Sequence, residues 1–96
     1  MLKEPCVYIL ASRKNGTLYT GVTSNLQMRV WQHKEKTLPG FTSTYGVNQL
    51  VWFETHESMD SAISREKQLK AGSRQKKFEL IEQLNPRWDD LFYTLG

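Results

Sequence analysis

Arg29 and His33 stand one helical turn apart in a stretch whose apolar residues recur with helical spacing. On a 3.6-residue wheel Leu26, Val30 and His33 fall within an arc of about 60°, with Arg29 about 60° to one side of Leu26. A guanidinium offers fixed donors to a phosphoryl oxyanion. An imidazole is the side chain most easily used to move a proton near neutral pH. The same positions also suit a snorkelling arginine and a hydrogen-bonded boundary histidine. Further along, Met59, Ala62, Ile63 and Leu69 form a second apolar stripe, and Glu66 falls beside it, about 40° from Ala62. A carboxylate there can pair with a neighbouring cation. It can equally ligate a hard ion such as Mg2+, which is commonly held by one or two carboxylates with phosphate and water.

Two tyrosines complete the reactive set. Asn15-Gly16 is a strong hairpin signal, because both central residues of a type I′ turn need positive φ. If it is a two-residue loop, Lys14 pairs with Thr17, Ser12 faces Tyr19, Leu10 faces Gly21 and Tyr8 faces Thr23. Paired residues share a face, as do alternate residues along a strand. Tyr8 and Tyr19 then project from one side, with Gly21 between them as a bare patch where phosphate could approach backbone. The competing expectation is two core aromatics with Gly21 as a packing accommodation. A loop longer by one residue would flip the parity and separate the rings.

The elements that must position these groups follow from pattern and punctuation. Val7 to Ala11 and Leu18 to Thr23 read as strands. Ser24 or Asn25 caps a helix running to about Lys36. Thr37 to Asn48, with Pro39, Gly40 and Gly46, reads as a loop. Gln49 to Thr55 is a third strand, with Leu50 and Trp52 to one side and Val51 and Phe53 to the other. Ser58 or Asp60 starts a second helix, which Gly72 ends. Ser73 caps a third running to about Asn85, with Pro86 just beyond. The order is ββαβαα, an α+β fold. The 96 residues suit a single domain over 1–96.

Composition narrows the function classes. Net charge is +3, but Arg65, Lys67, Lys70, Arg74, Lys76 and Lys77 crowd into one stretch against the single acid Glu66. Such a stretch is either an electrostatic footprint for phosphates or a solvated helix face. One cysteine, Cys6, excludes an internal disulfide framework and a cysteine-rich zinc site. No apolar run approaches a membrane span, and Met1-Leu2-Lys3-Glu4-Pro5 has no signal-peptide pattern. These features point to the cytoplasm and away from membranes.

In order and spacing, Tyr8, Tyr19, Gly21, Arg29, His33, Glu66 and Asn85 resemble the GIY-YIG nuclease superfamily. Its two motifs stand here as Cys6-Val7-Tyr8 and Tyr19-Thr20-Gly21. The chain is most similar to the short stand-alone bacterial members. The matching runs are Tyr8 to Ser12, Asn15 to Tyr19, Gly40-Phe41-Thr42, Arg65 to Lys70 and Asn85-Pro86-Arg87-Trp88. The resemblance implies a three-stranded antiparallel sheet flanked by three helices, and an endonuclease that hydrolyses phosphodiester bonds with one Mg2+ or Mn2+. It implies that Glu66 ligates the metal and that Arg29 offsets phosphate charge. Tyr8 and Tyr19 position or deprotonate the attacking water, and His33 assists proton transfer or orients the site. Tyr45 becomes a further active-site aromatic, and Gly21 and Asn85 support the site. The partner implied is nucleic acid, DNA before RNA, held by Lys67, Lys70, Arg74, Lys76 and Lys77. The alternative is a catalytically weak nucleic-acid-binding module of the same fold. The Gly-Ile of the first motif is Cys6-Val7 here, and the Ile of the second is Thr20; neither change removes a reactive group.

Overall fold

A computed structural model describes residues 4–37 and 40–95. Pro39 of the expected loop and Met1 to Lys3 lie outside the described residues. Strand β1 (Cys6–Ala11) and β2 (Leu18–Thr23) form the hairpin. Helix α1 (Leu26–Lys34), a short α2 (Phe41–Tyr45) and β3 (Gln49–Thr55) follow. Helices α3 (Met59–Ala71) and α4 (Arg74–Leu84) precede a 3-10 turn at Leu91–Thr94. The sheet is antiparallel in the order β2-β1-β3. The expected α+β plan is present. The structure adds α2 inside the stretch read as a loop, and the closing turn.

Capping residues set the helix starts. The side chains of Asn25, Ser58 and Ser73 accept from the N–H groups of Met28, Ser61 and Lys76, satisfying donors a helix start leaves orphaned. α1 stops at Lys34, short of Lys36, which takes a left-handed φ of 56°. Gly72 ends α3 as expected, but with extended backbone (φ −79°, ψ 166°) instead of a left-handed cap.

The hairpin departs from expectation in its turn and keeps its consequence. Ser12 N–H donates to Thr17 C=O, and the turn inside runs from Arg13 to Gly16, whose N–H donates to Arg13 C=O. Asn15 alone takes positive φ, 60°, so the two-residue type I′ turn is not formed. The observed pairs are Tyr8 with Gly21 and Leu10 with Tyr19, a register displaced by two residues. Because the side-chain period is two, that displacement preserves parity. Tyr8, Tyr19 and Gly21 therefore do share a face, as diagonal and direct neighbours.

Strand β3 corrects a second expectation. Ile9 pairs with Trp52 while Leu10 pairs with Leu50, so Val51 is a bulged residue. A bulge breaks the alternation of faces. Leu50 and Phe53 pack with Tyr8, Leu10, Leu26 and Val30 on the α1 side. Val51 and Trp52 pack together with Val7, Ile9, Ala62, Leu69 and Ile81 on the α3–α4 side. The segment after α4 satisfies the polar groups there. Asn85 Nδ2 donates to Val51 C=O (3.0 Å), and Asp90 accepts from Leu50 N–H (3.1 Å). Either group left buried and unpaired would cost about 1–3 kcal/mol. The sheet is thus covered on both faces, with β2 as an edge strand beside α3.

Candidate active site

Tyr8 lies on the central strand with no exposed surface. Its hydroxyl is 3.2 Å from Nε2 of His33 on α1. His33 is buried too, and its Nδ1 lies 2.9 Å from the Thr42 hydroxyl on α2. The Tyr19 ring packs against both, with centroids 5.5 Å from His33 and 6.3 Å from Tyr8. Side chains from three elements thus converge on one buried line, Tyr8–His33–Thr42, with Tyr19 flanking it toward the surface. Sequence reasoning missed Thr42. Its only signal is its place in the run Gly40-Phe41-Thr42, since α2 is too short to show periodicity.

The charged groups act on this line. Burial pushes the Tyr8 phenol pKa well above its usual range, and the Tyr19 phenol adds to that push. The Arg29 guanidinium opposes it, and the Glu66 carboxylate reinforces it. Burial lowers the His33 pKa, with the Arg29 charge as the second cause. Near neutral pH, then, Tyr8 is a protonated phenol and His33 a neutral imidazole with one ring proton. Arg29 comes from α1 and Glu66 from α3, on opposite faces of the sheet. The charge of each still reaches the one phenol.

Gly21 pairs directly with Tyr8 across the hairpin, but it is not an open floor. A Cβ placed there would lie 2.5 Å from the Tyr8 Oη and 2.6 Å from its Cζ. The phenol occupies the space that a side chain at 21 would take. The bare patch expected for phosphate is filled, and Gly21 is a packing accommodation.

A groove of about 390 Å3 opens outside the tyrosines. It is lined by Leu18, Tyr19 and Thr20 of β2, Phe41 of α2, and Lys70, Arg74 and Lys77. Three of the five expected phosphate-binding cations therefore meet beside Tyr19. Each already has a partner. Lys70 pairs with Glu66 at 3.1 Å, one turn back on α3. Lys77 donates to the Gly72 carbonyl. Arg74 donates to the carbonyls of Asn15 and Gly16 and lies over the Phe78 ring. Arg74 thus clamps the hairpin tip to α4, a structural task. Lys76 lines a separate groove with Arg65 and Gln68, and Lys67 is exposed; neither lines the groove beside Tyr19.

Two further expected residues lie apart from the reactive line. Tyr45 is 61% exposed, with its ring centroid 4.9 Å from that of Phe41, so it reaches the groove only through that neighbour. Asn85 is buried, but its contacts are with Val51 and Asp89 backbone. It holds the β3 bulge and touches none of the reactive groups. Glu66 is a solitary carboxylate: among the described residues no three His, Cys, Asp or Glu side chains group to hold a metal. That donor set is no cage for Ca2+ or a structural Zn2+. It does fit a small hard cation that keeps most of its waters and takes phosphate as a further ligand.

A family model described as the GIY-YIG catalytic domain matches residues 4–79. A UPF0213 protein of Staphylococcus saprophyticus is 34% identical over 77 residues, spanning 80% of this chain and 93% of that protein. A UPF0213 protein of Clostridium perfringens is 40% identical over 75 residues, spanning 78% and 80%. The fold is similar to the solution NMR structure of a UPF0213 protein from Bacillus halodurans. That comparison has a TM-score of 0.56 and 29% identity, and covers 91% of this chain and 92% of that one.

Proposed function

The chain belongs to the GIY-YIG catalytic-domain family, a nuclease family, and on that premise we propose that it is an endonuclease hydrolysing phosphodiester bonds in nucleic acid with one Mg2+ or Mn2+. The observation that carries this reading is the basic groove, whose wall at Tyr19 adjoins the buried Tyr8–His33 pair. Lys70 and Lys77 steer a phosphate to that wall. Tyr19 is the phenol nearest the groove and orients the attacking water. Tyr8 and His33 behind it form the pair through which a proton moves. Arg29 supplies positive charge that needs no reorganisation as the phosphorane develops; one such donor contributes on the order of 10²–10³ in rate. Glu66 would hold the metal ion, which when bound supplies Lewis-acid stabilisation of the phosphoryl and leaving oxygens.

The alternative, a binding module of the same fold with weak catalysis, is favoured by one observation. Lys70 engages the Glu66 carboxylate that a metal would need. A panel of labelled DNA and RNA substrates separates the two, assayed with Mg2+, Mn2+ or excess chelator, for the wild type and Glu66→Gln. Metal-dependent cutting that Glu66→Gln abolishes, with binding retained, is the expected result. Cutting that persists in chelator, or at full rate in folded Glu66→Gln, removes Glu66 from the mechanism. Salt-sensitive binding with no cutting of any substrate favours the module.

A further inference from the structure

His33 is hydrogen-bonded to both Tyr8 and Thr42, and a neutral imidazole has one ring proton to place. The surroundings decide where. The Tyr8 hydroxyl is fully buried, and among the described residues the one acceptor in its reach is Nε2 of His33. Its charged neighbour Arg29 has donors only. If Nε2 carried the proton, it would point at the phenol oxygen, and the Tyr8 proton would be left facing a guanidinium. With Nε2 bare, the Tyr8 O–H donates to it, and the ring proton sits on Nδ1, aimed at the Thr42 oxygen 2.9 Å away.

We propose that Thr42 is a positioning residue: its hydroxyl accepts from His33 Nδ1–H and so keeps Nε2 unprotonated toward Tyr8. The backbone supports this task. α2 has glycine at both ends, Gly40 at φ 112° and Gly46 at φ 63°. Such conformations are strained for other residues, and they let a five-residue helix turn Thr42 inward. The Thr42 carbonyl accepts from both Gly46 and Val47 N–H, and Val47 is fully buried beside Leu50, so the threonine is tied to the core. In the reaction, the proton leaving Tyr8 O–H arrives on Nε2. As its own proton leaves, the phenol oxygen takes up the proton of the attacking water, so an imidazolium forms beside a neutral phenol, and Nδ1–H remains on the Thr42 oxygen. Thr42 is buried and does not line the basic groove. It acts through His33, as an oriented acceptor commonly fixes a histidine tautomer.

The catalytic part rests on the proposed nuclease reading, but the tautomer does not, so the test begins without substrate. Imidazole nitrogen shifts are recorded by 15N NMR at pH 7.5 for wild type, Thr42→Ser and Thr42→Val, with His56→Gln used to assign the two histidines. The expected result is an Nδ1–H tautomer at His33 in wild type and Thr42→Ser, and an Nε2–H or mixed state in Thr42→Val. An Nε2–H tautomer in the wild type overturns the proposal, even if Thr42→Val fails to fold. So does an unchanged Nδ1–H tautomer in folded Thr42→Val. On a substrate the wild type cuts, Thr42→Val should lower kcat by roughly ten- to a hundredfold with KM unchanged, part of the about 10²–10⁴ of a general base. Thr42→Ser should restore the rate; equal loss in both variants refutes the role. If no substrate is cut but the tautomers behave as stated, the nuclease reading fails and the Thr42 assignment stands.

Discussion

Adding one methyl group at position 21 tests whether the tyrosine wall is close-packed. The Gly21 backbone is strand-like and has no positive φ, so Gly21→Ala carries no backbone strain. In an open strand position it would stabilise by about 0.4–1 kcal/mol, by reducing unfolded-state entropy. Here the new Cβ would sit 2.5 Å from the Tyr8 Oη, 2.6 Å from Cζ and 3.0 Å from Tyr19 Cε2. Tyr8 is fully buried and cannot swing into solvent, so its ring must shift within the core and off its line to His33. Overpacking of this kind costs about 1–3 kcal/mol. Displacing the phenol from Nε2 leaves a buried donor unpaired, for about 1–3 kcal/mol more. Set against the entropic gain, the net loss spans about 1–5 kcal/mol, centred on about 3 kcal/mol. At about 4–8 °C per kcal/mol for a domain of this size, Tm should fall by roughly 10–30 °C. Thermal and urea unfolding read this directly. The double variant Gly21→Ala/Tyr8→Leu should recover part of the loss, because leucine withdraws the clashing atoms, and a double-mutant cycle would then show coupling above about 0.5 kcal/mol. A Gly21→Ala variant as stable as the wild type would mean that the phenol does not fill this space, and the open-floor reading of the hairpin would return.

Two other outcomes follow from the geometry. Arg74→Ala should lose stability of about 1 kcal/mol, a Tm shift of about 4–8 °C, because the turn carbonyls of Asn15 and Gly16 lose their donor. Lys70→Ala should leave Tm within a few degrees, since surface pairs contribute about 0–1 kcal/mol, yet flatten the salt dependence of nucleic-acid binding by a log–log slope of about 0.7–0.9. Equal effects of the two on Tm would refute the division of tasks. The second outcome concerns pH. The folded His33 pKa lies below its unfolded value of about 6.5. As pH falls through that value the unfolded chain binds a proton that the folded chain refuses, so stability drops on acidification and is flat above. Urea midpoints from pH 7.5 to 5.5 should decline more in wild type than in His33→Gln, and parallel curves would exclude a buried neutral His33.

What the sequence made legible is what depends on period and punctuation. Asn25, Ser58 and Ser73 cap helices where their types and positions say they should. Tyr8 and Tyr19 share a face even though the turn between them is four residues long and not two. A two-residue error in loop length returns every side chain to its own face, and only an odd error would have destroyed the site. The β3 bulge shows the opposite case. One extra residue at Val51 put Trp52 on the far side from Leu50, and no local pattern announces it, because both faces of β3 are apolar. Its support comes from Asn85 and Asp90, far along the chain. Asn85 is therefore needed for the fold away from the Tyr8–His33–Thr42 line, and site support is what the resemblance alone implies for it. Arg74 and Thr42 follow the same logic. A basic residue in a basic run gives no sign that its donors are taken by a distant turn. A threonine in a short glycine-flanked stretch gives no sign that it faces a histidine nine residues earlier. Periodicity tells which side a residue faces; its partner there depends on how the elements dock. In this molecule the docking of α1 and α2 against the β1–β2 hairpin brings Tyr8, Tyr19, His33 and Thr42 together.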